Sequence, residues 1–523
     1  MICICSMVAI SVAHLSASAG VKAALTQSLL DYARDVAKPV LIDFVQGYPI
    51  PNPLFKNDSY SFTWQVGAVA LTNTPNAAID VSLESPTALR VSISDLQLGL
   101  KGQAFAREDF WPNPTLSVNV SADMDGSSAS ATLAFDVSAG VPSVSLNACN
   151  ANINVNNVNC DWWWPFNQLC PLLVSTFHDE ISAWGKEMLC SQIMSTQLVS
   201  TFMNPFLRSF NYQGVLPFPA PFENVTVDYH LTAAPIVVPG WNPPYSTYLE
   251  AAATGRLFWA GGPLPPFPLP TMPALSSVQL TNHMATAQLH PFVFNTGLWA
   301  VWHRGLLQYG PIASTSLPKP ERACLNTAFY KLLLPSMYKA YPNQRMNLLL
   351  SAADRPVVAI TASAITLRFP AKIFWSIEAT RANQSGTQIG IGPGRAAGSI
   401  PAFSLSCPLK ASIGLGVGST ATGEPKLTGE VHNVNLACHA NSSSFGTLGP
   451  QLIAALTDPA NAAVNNILLP IVNRVLQAGF PIKPIDQVLG GYRLMLRPIS
   501  PAIHLADGFA YLGTDARVTL MPA

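Results

Sequence analysis

The side chains best suited to covalent chemistry are seven cysteines beyond the first few residues: Cys149, Cys160, Cys170, Cys190, Cys324, Cys407 and Cys438. No C-x-x-C pair occurs, and no histidine stands in ligand register with a cysteine pair, so the spacing is not that of a zinc site. Disulfides formed in an oxidising compartment fit better. Five N-x-S/T sequons, at Asn57, Asn119, Asn224, Asn383 and Asn441, offer glycan acceptors and agree with export. Cys160 and Cys170 bracket a loop holding Trp162, Trp163 and Trp164. They either staple that loop or lie there as two buried thiols. Cys324 reads as a buried apolar side chain.

A catalytic constellation is not evident. The chain holds no G-x-S-x-G elbow, no H-E-x-x-H and no G-x-x-x-x-G-K-[ST]. Gly390–Gly394 and Gly414–Gly418 are glycine-rich but miss G-x-G-x-x-G. His178, Asp179 and Glu180 are consecutive on a helical segment, so they splay over different faces and cannot converge on one atom. The expectation is a protein that is not an enzyme and uses no metal or cofactor.

The elements that carry these residues show two periodicities. Gly20 to Gly47 reads as a helix kinked at Pro39, with Leu25, Leu29, Val36 and Val40 on its apolar side. From Ala78 the period becomes two: Ile79, Val81 and Leu83 alternate with polar residues, as do Val118 to Met124 and Ile153 to Val155. These are half-buried antiparallel strands. A second helix, about Pro171 to Val199, carries Val174, Phe177 and Ile181 on one stripe. Gly261 to Pro273 then holds six prolines in 13 residues and should run extended as a spacer. Beyond it come a helix (His290 to Gly310), strands (Val357 to Phe369, Ser404 to Val417, Leu427 to Leu436), and a helix from Leu448 to Gly479 interrupted by Pro459 and Pro470. One helix–sheet–helix unit is used twice. A turn at Thr422-Gly423 would set Leu409 opposite Leu436 and Ala411 opposite Val434, bringing Cys407 and Cys438 across neighbouring strands.

Composition narrows the function. The chain has 523 residues, 28 basic and 28 acidic, with 11% charged and 49% apolar residues. That excludes disorder and a basic nucleic-acid binder. Gly20 to Gly255 holds 9 basic and 19 acidic residues, near −10, and the remainder holds 19 and 9, near +10. The sign flips at the proline run, which marks the domain linker. So much apolar side chain without a long apolar span points to a protein that hides something apolar inside itself. Residues 1–19 read as an export signal ending in Ala17-Ser18-Ala19, although no Lys or Arg precedes Lys22; an amphipathic start to the first helix is the alternative.

Several segments together resemble one family. Gly20-Val21-Lys22-Ala23 through Thr26-Gln27 and Leu30-Asp31-Tyr32-Ala33 is similar to the mature start of the bactericidal/permeability-increasing, lipopolysaccharide-binding and plasma lipid-transfer proteins. Val227-Asp228-Tyr229 and Leu249 to Phe258 resemble its central segment, Phe294-Asn295-Thr296 the opening of its second half, and Gly479-Phe480-Pro481 its last helix exit. The resemblance implies an α+β fold: a boomerang of two barrels, each a twisted antiparallel sheet wrapped on long helices, joined by a central sheet. It implies an apolar pocket for acyl chains in each half, and a disulfide tying the strand of Cys149 to the helix of Cys190.

The resemblance also implies a tip. Lipopolysaccharide-binding members carry Lys and Arg on loops at the far end of the amino-terminal barrel. The matching segments here hold Phe55, Phe110, Trp111 and Trp162 to Trp164, with few cations. Tryptophan partitions into the interfacial layer of a membrane, so these aromatics form an expected membrane-touching tip; one or two of them plugging the barrel end is the alternative. The expected organisation is a signal peptide (1–19), an amino-terminal lipid-binding barrel (20–255), a linker (256–275) and a carboxy-terminal barrel (276–523). The expected ligand, in place of a cofactor, is a phospholipid or related two-chain lipid lined by Leu25, Leu29, Val36, Val40, Val174, Phe177 and Ile181, although those faces would equally suit a closed core. A secreted lipid carrier that touches membranes peripherally is the first reading. Innate-defence binding of bacterial lipopolysaccharide is the second.

Overall fold

The computed structural model describes residues 17–46, 55–57, 62–71, 78–84, 86–107, 115–161, 170–209, 212–216, 218, 220–239, 247–275, 283–312, 322–378, 399–420, 423–482, 485–489 and 492–522. The fold is α+β and rich in strand. Two curled antiparallel sheets each pack on long helices, and a third sheet draws strands from both ends of the chain.

The first curled sheet runs Phe55–Asn57, Phe62–Leu71, Ala88–Arg107, Thr115–Ser138 and Val141–Asn152. Its central strands are 20 and 24 residues long. Strands this long serve two partners in succession: Ala78–Glu84 shares the edge of Ala88–Arg107 with Phe62–Leu71, as the alternation at Ile79, Val81 and Leu83 requires. The inner face, with Val91, Val120, Ala122, Met124 and Leu133, meets Ile181, Leu189, Ile193 and Met194 of the second long helix.

The second curled sheet repeats the plan with Gln308–Ile312, Met346–Ala352, Ile365–Glu378, Ser399–Ser419, Pro425–Leu436 and Phe480–Pro481. Its inner residues Leu348, Ile373, Trp375, Ile377, Leu405 and Leu409 meet Leu452, Leu456 and Ala460 of the last long helix. Leu409 faces Leu436 as the turn geometry requires, but a bulge after Lys410 shifts the rest of the ladder, so Ser412, not Ala411, finds the next partner.

Among the described residues, helical asparagines fasten helices to strand edges in three places. Asn204 accepts from Val144 N at 2.8 Å and donates to Val144 O at 2.9 Å. Asn473 does the same to Val431 at 2.8 and 3.2 Å, and Asn295 to Val358 at 2.6 and 3.3 Å. Each amide stands in for a neighbouring strand and satisfies backbone groups an edge would leave open.

The central sheet has the order 236–238, 248–253, 21–26, 285–289, 509–522, 492–506, 485–489, all antiparallel. It corrects the reading of Gly20 to Gly47 as one helix. Val21–Thr26 is a strand, hydrogen-bonded on both sides, and the helix is Gln27–Gln46. Leu25 therefore stands on the strand, opposite Leu249 and Ala285, and not on the helical stripe. Six residues are too few to show which period wins, and the two flanking strands lie far away in sequence.

Other boundaries also move. Ile153 and Val155 are buried as the alternation predicts, but the strand ends at Asn152. The second helix runs from Cys170 to Ser209, with a wider π-helical section at Met188–Met203. Here Thr196, Ser200 and Thr201 donate hydroxyls to carbonyls five residues back. The last helix is not broken by its prolines: Pro450–Ala463, Val464–Leu468 and Leu469–Ala478 follow without a gap, and the wider turn at 464–468 sits just ahead of Pro470. The proline run ends in Thr271–Met272, which pairs with Ala17–Ser18; Ala19 behind it is fully buried. Residues read as the end of an export signal thus take part in the folded ladder.

Candidate lipid-binding surfaces

The first helix, Gln27–Gln46, is locked onto the first curled sheet by polar contacts at its start. Gln27 accepts from Leu83 N at 3.1 Å and donates to Val81 O at 2.5 Å. Two turns on, Arg34 bonds Asp35 at 2.9 Å and lies 3.6 Å from Asp80 on the strand. The Asp35 hydrogen bond holds the guanidinium above its ordinary range. These contacts fix the helix while leaving its apolar side incompletely covered: Leu29 is buried, but Leu30, Ala33 and Val36 are only half-buried.

The expected lipid-lining residues therefore separate. Leu29 and Val36 share the first helix, and Ile181 on the second is completely buried in the first core. Val174 and Phe177 lie on the helix Cys170–Glu187 and Val40 on the first helix, but their side chains lie outside the described residues. Leu25, on the central sheet, is 36% exposed. Of the expected tip, Phe55 sits in Phe55–Asn57, whose backbone pairs with Phe62–Trp64. Phe110, Trp111, Trp162, Trp163 and Trp164 lie outside the described residues.

Among the described residues two disulfides are formed. Cys149–Cys190 joins strand to helix with Cα atoms 5.7 Å apart, and Cys407–Cys438 ties Ser399–Ser419 to the short link that follows Pro425–Leu436, at 4.0 Å. Cys160 ends in the strand Asn157–Asp161 and Cys170 opens a helix, and their side chains lie outside the described residues. Among the sequons, Asn119, Asn224 and Asn441 are exposed, whereas the Asn57 side chain and all of Asn383 lie outside the described residues. His178, Asp179 and Glu180 are all exposed; His178 Nδ1 lies 3.3 Å from Asp179 Oδ1, against the expectation that the three side chains splay apart.

Sequence reasoning missed a cavity of about 350 Å3 on the second curled sheet, walled by Ser351, Ser376, Ser404 and Ser442 among others. A signal was present: serines fall on the outward positions of strands whose inward positions are large and apolar.

Among the described residues no helix is long and apolar enough to cross a membrane. Comparison with known proteins gives one consistent picture. The chain is 24% identical over 344 residues to bactericidal permeability-increasing protein of Rattus norvegicus, covering 65% of this chain and 62% of that protein. It is 23% identical over 505 residues to lipopolysaccharide-binding protein of Mus musculus, covering 95% and 92%. A crystal structure of lipopolysaccharide binding protein aligns over 96% of this chain and 99% of its own, at 19% identity and a TM-score of 0.49. The family described as LBP / BPI / CETP family, C-terminal domain, matches residues 223–492, a segment that begins upstream of the proline run. Spanning more than half of the sequence, that match establishes that this chain belongs to the LBP / BPI / CETP family.

Proposed function

We propose that this protein binds lipid, holding phospholipid-like acyl chains against the helices inside its curled sheets and carrying them between membranes. The observation that carries this reading is the first helix. Leu30, Ala33 and Val36 are left half-buried along a sheet whose inner face is apolar. Apolar side chains left partly open beside a large core offer acyl chains a surface at about 25 cal/mol per Å2 buried. Export through an amino-terminal signal, and peripheral contact through Phe55, Phe110, Trp111 and Trp162 to Trp164, complete the proposal.

The names of the relatives favour a second reading, binding of bacterial lipopolysaccharide. Charge weighs against it as the main role, since residues 20–255 carry 9 basic and 19 acidic side chains and a polyanionic headgroup would be repelled. Organic extraction of natively purified protein, followed by mass spectrometry, tests the proposal. Stoichiometric two-chain lipid is the expected result, and protein that yields none overturns it. Binding to zwitterionic against lipopolysaccharide-containing vesicles across a salt series separates the two readings.

A further inference from the structure

The cavity on the second curled sheet opens on the face away from the helices. Along Met346–Ala352, Met346, Leu348 and Leu350 are buried against the core, while Asn347, Leu349 and Ser351 point to the cavity side. Along Ile365–Glu378, Ile373 and Ile377 face the core, and Phe374 and Ser376 line the cavity. This groove is therefore separated by the sheet from the helix-side core, where acyl chains would sit.

Among the described residues of its wall, seven of sixteen are serines, Asn347 and Gln308 add amides, and none is charged. No Arg or Lys among them would neutralise a phosphate or carboxylate. An acyl chain would strip water from the hydroxyls without replacing its hydrogen bonds. The volume, about 350 Å3, is at the small end of small-molecule sites, which run about 300–1,000 Å3.

Two features mark it as built. Ser404, only 2% exposed, is held by Ser442 Oγ at 2.7 Å and by the Asn441 amide at 3.0 Å, which fixes the hydroxyl wall. Opposite, the ladder is broken by a bulge: Trp375 pairs with Phe403 but Ser376 with Pro401, leaving Ala402 extra. The Trp375 and Phe403 rings stay together in the core, 5.1 Å between centroids, while Phe374, Ser376 and Ser404 line the groove.

We propose that this groove binds a neutral saccharide of one or two rings. A sugar offers what the wall lacks and needs: hydroxyls that both donate and accept for serines and amides, and an apolar C–H face for Phe374. Free sugar and the headgroup of a neutral glycolipid share this chemistry.

The test uses the full chain and titration calorimetry with maltose. Saturable binding with Kd about 1 mM is expected, the strength of a few net hydrogen bonds. Glucose 6-phosphate should bind no tighter than glucose. Ser376→Trp and Ser351→Trp, which fill the groove from two strands, should weaken maltose at least tenfold with unchanged thermal midpoints. Phosphatidylcholine vesicles with and without glucosylceramide separate the sources: recruitment competed by maltose identifies the headgroup, and maltose binding without recruitment identifies free sugar. The proposal is overturned if maltose, galactose and N-acetylglucosamine all fail to bind saturably, or if both filled variants bind maltose like the parent.

Discussion

Lys22 Nζ donates to Glu250 Oε1 at 2.6 Å across two neighbouring strands of the central sheet, with the two side chains 0% and 2% exposed. The other Glu250 oxygen accepts from Leu275 N at 3.3 Å, and Tyr248 Oη donates to Leu275 O at 3.0 Å, tying the end of the proline run to the sheet. A buried pair of this kind is costly to break because the survivor keeps its charge away from water. Lys22→Met or Glu250→Gln alone should lose about 3–5 kcal/mol, and Lys22→Met with Glu250→Leu should recover most of that loss. Urea unfolding checks both. Single variants as stable as the parent would mean that water reaches this pair.

The Cys149–Cys190 bridge should be structural. It joins a strand edge to the long helix that fills the first core, over a sequence separation of 41. Replacing both cysteines by serine should cost about 3–4 kcal/mol in the chain-entropy account, loosening the amino-terminal sheet first. Hydrogen exchange followed by peptide mapping gives the readout, and peptide mapping of non-reduced protein that finds both thiols free sinks the assignment.

The asparagine clamps predict a matched pair of losses. Asn204→Ala and Asn473→Ala each remove an acceptor and a donor from a strand edge, leaving Val144 and Val431 unsatisfied. Each should cost about 1–3 kcal/mol, and because the sites lie in different curled sheets the two losses should add. Thermal unfolding of the single and double variants decides this; an Asp substitution, which retains the acceptor alone, should fall between.

Alkaline pH should unfold the protein through its buried tyrosines. Burial pushes the Tyr330 hydroxyl well above its ordinary value, with the neighbouring Cys324 adding to it, and burial beside Glu250 raises Tyr248 as well. The native state keeps these protons while the unfolded chain releases them near pH 10. Stability from both groups is thus complete below that pH and declines above it. Tyrosinate absorbance should rise together with loss of ellipticity. Full ionisation in a still-folded protein would contradict the burial.

Membrane contact through Trp111 and Trp162 to Trp164 should be nearly independent of salt. Aromatic partitioning is not screened, whereas a cationic tip would lose attraction within about 8–10 Å near physiological ionic strength. Replacing Trp162, Trp163 and Trp164 by Ala should slow lipid pick-up several-fold with the fold intact; Lys101→Ala with Arg107→Ala, the cations of the expected tip segment Lys101 to Pro114, should matter less. Indole emission should shift blue on adding neutral vesicles. A triple variant that transfers lipid at the parent rate returns these residues to the barrel end.

Local pattern and chemical type were enough for much of this protein. Ile79, Val81 and Leu83 revealed their strand because a period of two survives any tertiary context that buries one face. Cys407 and Cys438 could be paired because a turn between them sets a register. The opposite charges of the two halves, and the family segments from Gly20 to Pro481, were likewise carried by residue identity. What the tertiary structure alone decided depends on partners distant in sequence. Val21–Thr26 became a strand because residues 248–253 and 285–289 pair on either side of it, which also made Lys22 an interior residue. Prolines 459 and 470 failed to break the last helix because a wider turn and the packing of Leu456 and Ala460 hold it together. The serine-walled cavity exists only where one residue too many, Ala402, is forced into a ladder against Trp375 and Ser376. A bulge is a mismatch between two strands, and neither strand's sequence contains it by itself.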